Sequence, residues 1–505
     1  MDSRDPRAPS LQSEMQRLLS SPSFDASERN RRFLRYIVDE TGAGRGERIK
    51  AYAIALEVFD RPPEFDPLLD PIVRIEAMRL RRSLDRFYLL EGPSGGLRLN
   101  IPKGRYIPIL EPAARAVSPN DTHVPRLLVT PLVCDEDSIE ARKFSEAFVH
   151  DLIVDLSRFP SLAVFSAAEE SHSVDYVLRS NASERPTHIN VCLHLLRAAD
   201  QRVLWADRFE VARREEGFWS EMNVSASVAR TLAQAYGVIF SVQADTPSAD
   251  LRDAPSSYSA VHLFLDYWRS LDELGMNASE AALEGAMSLE PNNAEVRACL
   301  SLLHTNRARF RLIPSLQSRA ELHRAMELAA EALELAPCGS WGYYALGLSY
   351  WFQGDIAGAL SSLDHAVALN PNDMMLLAEL GHRYAMRMDW DRAVPMLNAA
   401  YTASPSLPQS NQVGLFLYHF HHRRFDLARA AALKIRDLPV PHGALAMAAV
   451  SGELGDQQTG REALDQLERI KPGYLGFVRD DLRERNLHPT LIEEVLAGIE
   501  KLRSR

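Results

Sequence analysis

Residues Ser340–Asp373, SWGYYALGLSYWFQGDIAGALSSLDHAVALNPND, decide the fold. Tyr343, Leu346 and Tyr350 are bulky and fall at helical spacing, with the small Gly347 among them. Ala359, Leu363 and Ala366 form a second such series before Pro371. The small residues Gly347 and Ala359 let two helices approach closely, and Ala366 lets the second pack on whatever follows. Pro371 cannot continue a helix and stops it. The pattern then returns as Leu377, Leu380-Gly381, Tyr384, Ala393, Leu397, Ala400 and Pro405. Pro337, Pro371, Pro405 and Pro439 are each 34 residues from the last, and Pro472 follows at 33. Pro291 precedes Pro337 by 46, one period plus a 12-residue insertion.

A 34-residue unit with this order of bulky, Leu-Gly, aromatic, small and terminal Pro positions resembles the tetratricopeptide repeat (TPR). Earlier units keep Leu283 and Ala286, then Ala325, Ala329 and Ala332; the insertion, about residues 306–318, carries Arg307, Arg309 and Arg311 and lengthens the helices or their loop. Later units are degenerate, keeping Phe425-Asp426 and Ala428, then Gly455-Asp456, Leu464 and Leu467. The reading is a TPR solenoid over residues 256–477 and an amphipathic capping helix over 478–505. Each unit leaves an apolar face for its neighbour to cover. The resemblance implies a concave groove that takes a protein or peptide partner.

Outward from the repeats, the chain has 505 residues, 46% hydrophobic and 25% charged, which suits about three globular domains. Net charge is −11, yet residues 1–110 carry 19 Lys and Arg against 16 Asp and Glu, so any polyanion contact belongs at the N-terminus. Four scattered cysteines, Cys134, Cys192, Cys299 and Cys338, form neither a disulfide framework nor a zinc spacing. The first residues have no apolar core that would make a signal peptide, and no apolar run is long enough to span a bilayer. The expectation is a reduced, cytoplasmic protein without a membrane span.

Near the N-terminus, helical patterns cover Leu11–Leu19, Glu28–Glu40 and Ala51–Phe59. A longer one, Pro71–Leu90, buries Val73, Ala77, Leu80, Leu84 and Phe87 on one face and carries Arg74, Arg79, Arg81, Arg82 and Arg86 on its flanks. Strands at Leu97–Asn100 and Tyr106–Leu110 flank the turn Pro102-Lys103-Gly104-Arg105 as a basic hairpin. Residues 1–111 therefore read as a winged helix-turn-helix. IVRIEAMRLRRSL (Ile72–Leu84) resembles the recognition helix of OmpR-type DNA-binding domains, and PKGRYIPIL (Pro102–Leu110) resembles their wing. That resemblance places Arg74, Met78, Arg79 and Arg82 toward the major groove of DNA. It sends Arg81, Lys103 and Arg105 to phosphates or the minor groove.

Residues 112–124 read as a Pro/Ser/Ala linker. Beyond it, 125–245 read as a small α/β domain: strands at Arg126–Leu132, Leu162–Ser166, Tyr176–Ser180, Ile189–Leu196 and Val203–Phe209, a helix at Glu140–Phe159 and a closing helix at Phe218–Phe240. LLVTPL, SEAFVHDLIVDLSRFPSLAVFS, DYVLRSNAS and VLWADRFE resemble the TolB-like domain, a family that implies no catalytic role; Trp205 reads as core.

No Walker loop, GxGxxG, GxSxG or HExxH is present, so no enzyme activity, cofactor or metal is expected. His419, His421 and His422 read as a helix-end cluster, His188 and His194 lack a third ligand, and Asp135-Glu136-Asp137 reads as a solvated loop. The fold class is thus multidomain, α/β plus all-α. The functional expectation is a transcription regulator that binds DNA at one end and a protein partner at the other. Two alternatives stand beside it: a non-catalytic TPR scaffold with a protein-binding winged helix, and an accessory protein related to adenylate cyclases but lacking the catalytic domain.

Overall fold

The structure, a computed structural model, describes residues 11–503 except 22–23, 25, 64, 67–71, 92–96, 103–104, 113–123, 135–138, 167–173, 186, 213–223, 245–256 and 311–314. The linker at 112–124 lies almost wholly outside the described residues. The chain divides into two compact units, residues 1–120 with 323–338, and residues 121–322 with 339–505.

In the first unit, α1 (Leu11–Ser20), α2 (Glu28–Gly42), α3 (Ala51–Glu57) and α4 (Ile72–Glu91) precede a hairpin of β1 (Leu97–Asn100) and β2 (Ile109–Pro112). Ser27 starts α2 by accepting the Asn30 amide at 3.2 Å. Phe33, Leu34, Ile37 and Val38 of α2 share one core with Val73, Ala77, Leu80, Leu84 and Phe87 of α4. β1 and β2 pair antiparallel from Leu97↔Pro112 to Asn100↔Ile109. The second strand therefore starts at Ile109 and not, as expected, at Tyr106. Arg81 supplies the reason. Its guanidinium donates to the carbonyls of Ile101, Pro102 and Arg105 at 2.7, 3.2 and 3.0 Å, which turns those groups toward α4 and away from a ladder.

The second unit begins with β3 (Arg126–Cys134), α5 (Ile139–Leu156), β4 (Ala163–Ser166), β5 (Tyr176–Glu184), β6 (His188–Arg197), β7 (Val203–Ala212), α6 (Val224–Ala233) and α7 (Val238–Ala244). The sheet order is β4-β3-β5-β6-β7. β3 is parallel to β4 and β5, and the later pairs are antiparallel. Alternation on β6 buries Ile189, Val191, Leu193 and Leu195 in one core with Phe144, Phe148, Leu152 and Leu156 of α5. Trp205 packs half-buried against that core. The expected closing helix at 218–240 is two helices. Tyr236 sits at φ 68 between them, a conformation no helix tolerates, and its hydroxyl donates to the Leu265 carbonyl at 2.6 Å.

The array follows as hairpins α8 (Ser257–Ser270) and α9 (Glu273–Leu289), α12 (Ser340–Phe352) and α13 (Ile356–Leu369), α14 (Met374–Met386) and α15 (Trp390–Ala403), α16 (Gln412–His421) and α17 (Phe425–Ile435), and α18 (Pro441–Leu454) and α19 (Gln457–Ile470), with α10 (Ala294–Arg309) and α11 (Ser315–Leu335) between the first two in sequence. Helices α20 (Val478–Glu484) and α21 (Pro489–Arg503) end the chain. Successive hairpins pack on one another as an all-α helical array. A methyl on Gly347 would lie 2.8 Å from Leu363 Cγ, so the expected close approach of α12 and α13 is real. Asp355 and Asp456 begin α13 and α19 by accepting the Gly358 and Thr459 amides at 2.9 and 3.1 Å. The helices either side of the insertion are long, 16 residues in α10 and 21 in α11 against 13 and 14 in α12 and α13. The expected single capping helix at 478–505 is broken. Asn486, at φ 60, separates α20 from α21.

Candidate partner-binding groove

Helices α10, α12, α14, α16 and α18 share one face of the array, and the chain's own residues 485–488 cross it. Helix C-termini leave carbonyls without intrahelical partners. Here those carbonyls receive the crossing segment. Arg485 donates to the Arg309 carbonyl at the end of α10. Asn486 Nδ2 donates to the Trp351 carbonyl of α12 at 2.6 Å, and the His488 amide donates to the Met386 carbonyl of α14 at 2.9 Å. The groove answers with donors of its own. Trp351 Nε1 reaches the Arg485 carbonyl at 2.8 Å, and Arg387 reaches the Asn486 carbonyl at 2.9 Å. Leu487 is buried between these contacts. The face thus meets backbone groups of the turn between α20 and α21 and buries the Leu487 side chain.

Beneath the segment lies a cluster of charges. Arg383 pairs with Glu379 one turn earlier on α14, each side chain 3% exposed. Arg485 Nε donates to Asp481 at 2.7 Å, and Tyr474 donates to the same carboxylate at 2.8 Å. Burial disfavours the charged form of both acids, but His442 and Arg485 outweigh it at Asp481, and Arg383 outweighs it at Glu379, so both carboxyls are held below their usual range. Burial, then Arg383, depresses His382 to about 3; burial, then Arg485, depresses His442 to about 4. Both imidazoles are neutral at pH 7. Burial and the neighbouring Arg383 lower Arg309 to about 10, so it keeps its charge.

A second polar cluster joins the sheet to the array within the same compact unit. Ser161 donates to Glu295 at 2.6 Å, Asn372 to Asp155 at 3.0 Å, and Gln234 to Ser404 at 2.8 Å. Burial, with a smaller push from Asp373, raises Glu295 to about 7. Burial also raises Asp373 to about 6. The native chain therefore holds these protons more tightly than the unfolded chain does. Stability from Glu295 is full below its ordinary value of 4.5 and is lost as pH climbs through about 7. Between pH 5 and pH 8 the loss is expected to approach about 3 kcal/mol. Urea midpoints across that range should fall in the wild type and fall less in Glu295→Gln; equal slopes would show that this carboxyl ionises as freely in the folded chain as in water.

The residues singled out from the sequence have different surroundings. Arg81 is engaged with the hairpin loop as described, and Arg79 donates to the buried Glu76 at 3.0 Å. Arg74 is half-buried and Arg105 exposed. The side chains of Met78 and Arg82, and Lys103 altogether, lie outside the described residues, as do Arg311 and Asp135-Glu136-Asp137. His421 meets Glu494 at 3.0 Å, and His422 bonds the Tyr418 carbonyl at 2.9 Å. Among the described residues no group of three His, Cys, Asp or Glu could hold a metal ion. No described helix is long and apolar enough to cross a membrane.

Sequence reasoning missed Glu379, Arg383, Asp481 and Arg485. The signal was there on α14: Glu379 and Arg383 are one turn apart in a helix whose other positions, Leu380, Gly381 and Tyr384, are core, so the pair had to be buried with them.

No protein-family model matches the chain, and no curated protein matches it. Among solved structures, pilF of Pseudomonas aeruginosa aligns at TM-score 0.31 and 17% identity, over 45% of this chain and 96% of that one. YrrB, described as a TPR protein with an unusual peptide-binding site, aligns at TM-score 0.25 and 18% identity, over 39% of this chain and 97% of that one.

Proposed function

We propose that this chain is a partner-binding scaffold that acts as a DNA-binding transcription regulator. The observation that carries the scaffold reading is the crossing segment at residues 485–488. A face that already holds the turn at 485–486 and the residues after it through Trp351, Arg387 and three helix-end carbonyls has polar groups that a peptide from another protein could also meet. The winged-helix and TolB-like readings of the first two domains belong to the same proposal. Their support is the resemblance of Ile72–Leu84, the basic surplus of the first 110 residues, and a hairpin that Arg81 fastens to α4.

A second reading has its own support. Arg79 and Arg81, two of the expected DNA contacts, are engaged inside the unit, which suits a winged helix that binds protein. Fluorescence anisotropy of the full chain on random duplex DNA decides between them. A DNA-binding protein loses affinity with a log–log salt slope of about −0.9 per phosphate contact, so binding should drop steeply between 50 and 200 mM salt, as a rough guide. An Arg74→Ala/Arg105→Ala variant should bind more weakly with a shallower slope. Absence of binding at low salt would remove DNA from the function and leave a protein scaffold.

A further inference from the structure

The crossing segment roofs a cavity of about 90 Å³ in the groove. Arg309, Arg383, His382, His442 and Arg485, with Ser410 and Asn411, supply its polar wall. Phe310, Phe352, Phe416, Leu445, Leu487 and Val495 are among the apolar residues that make up most of the remainder. On the scale where one water needs roughly 10–15 Å³, the space holds about six waters or one small organic molecule.

The charges do not balance. Both histidines are neutral at pH 7, so three arginines face two carboxylates. Among the described residues Glu379 pairs with Arg383 and Asp481 with Arg485, which leaves Arg309 without a carboxylate of its own. Its guanidinium lies over the rings of Phe310, Trp268 and Phe352, with centroids at 4.5, 5.6 and 5.8 Å. Aromatic faces orient a cation but do not neutralise it. The Nε atoms of Arg309 and Arg383 and Nδ1 of His382 are buried without a hydrogen-bond partner, and Arg383 as a whole is 2% exposed. Arg309 is half-buried and Arg383 buried, so these guanidiniums are held partly or wholly away from water, and donors left unpaired there carry a desolvation cost.

We propose that this cavity binds a small monocarboxylate with an apolar body. The carboxylate completes the charge balance at Arg309 and accepts from the unpaired donors. The apolar body fills the space toward Phe416 and Leu445. A larger space of about 520 Å³ is also lined by Arg309, Phe352 and Arg485, with Arg319, Asp481 and Glu484 on its wall. With about 90 Å³ of space, the occupant is a free small molecule and not a stretch of chain passing through.

The test uses the full-length protein with sodium benzoate and sodium hexanoate as probes, benzyl alcohol and hexanol as uncharged counterparts, and phosphate as a compact anion. Thermal unfolding and isothermal titration are the readouts. Near-saturating benzoate or hexanoate should raise the unfolding midpoint by about 2 °C or more, while the alcohols and phosphate should not. Arg309→Met, which keeps the stem and removes the charge, should weaken carboxylate binding at least about tenfold. Leu445→Trp, which fills the cavity from its apolar side and leaves every arginine, should abolish it; this second variant keeps the test open if Arg309→Met folds poorly. Failure of both carboxylates, an equal shift from the alcohols, or undiminished binding in a folded variant of either kind would overturn the proposal.

Discussion

Adding one methyl group at Gly452 is expected to unfasten α21 and cost about 3 kcal/mol. A Cβ at this position would lie 1.8 Å from the carbonyl oxygen of Gly498 and 2.8 Å from its carbonyl carbon. Both atoms are backbone, so no side chain can rotate away, and the axes of α18 and α21 must separate. Overpacking of a tight contact costs about 1–3 kcal/mol when the surroundings can yield, and more when they cannot. Here separation also loosens Leu491, Ile492, Val495, Ile499 and Leu502, all 5% exposed or less. Each such side chain contributes about 1.5–3 kcal/mol when fully buried, so even partial exposure of the row reaches the expected loss. Gly455→Ala is the control. Its methyl meets nothing within 4 Å, and its φ of +73° costs only the left-handed backbone penalty of about 1–2 kcal/mol. Urea denaturation should rank the two variants in that order, and limited proteolysis of Gly452→Ala should cut first near residues 485–488, where the roof of the groove has lifted. An unchanged midpoint in Gly452→Ala would mean that the two helices have more slack than a backbone contact allows.

What the sequence disclosed and what it hid divide along a physical line. The hairpin phase was legible because Gly347, Ala359, Ala366 and Pro371 act through contacts within a unit or with its neighbour, and those contacts recur at one spacing. The core face of α4 was legible for the same reason, since Val73 to Phe87 mark it by period alone. Breaks set by distant partners were not legible. Val478–Arg505 reads as one amphipathic helix by apolar spacing, yet Pro489 within it can only begin a helix, and Asn486 just before it sits at φ 60, bonded to the Trp351 carbonyl and Arg387 more than 90 residues away in sequence. Tyr236 breaks the closing helix against a carbonyl 29 residues on. The later start of β2 follows from Arg81, a residue whose sequence context suggested a contact with phosphate. The groove cluster needed both kinds of information. Glu379 and Arg383 could be paired from spacing, but only the return of α20 brings Asp481 and Arg485 onto the same face.

The largest single-residue effects in the groove should come from that pair, and they should be unequal. Removing one partner of a buried ion pair costs about 3–5 kcal/mol, because the other is left charged and desolvated. Glu379→Leu leaves Arg383, Arg309 and Arg485 together with only Asp481 to answer them, and it strips the Tyr344 hydroxyl of its 3.3 Å bond as well. Its loss should lie at the upper end, about 5 kcal/mol. Arg383→Met leaves Glu379 with a second cation close enough to lower its pKa, Arg309, which can take over the pairing. That loss should be about 2–3 kcal/mol. The double replacement Glu379→Leu/Arg383→Met removes both charges at once and should recover most of the loss, since a buried pair exchanged for apolar side chains of similar volume is often neutral. Urea midpoints for the four proteins give the coupling energy directly. Equal losses in the two single variants would mean that Arg309 does not reach Glu379, and its charge would then be answered from elsewhere in the cavity. Additive losses in the double variant would mean that the pair is not an energetic unit at all, and that Arg383 is held in place by the Trp351 ring, whose centroid lies 5.1 Å from its guanidinium carbon.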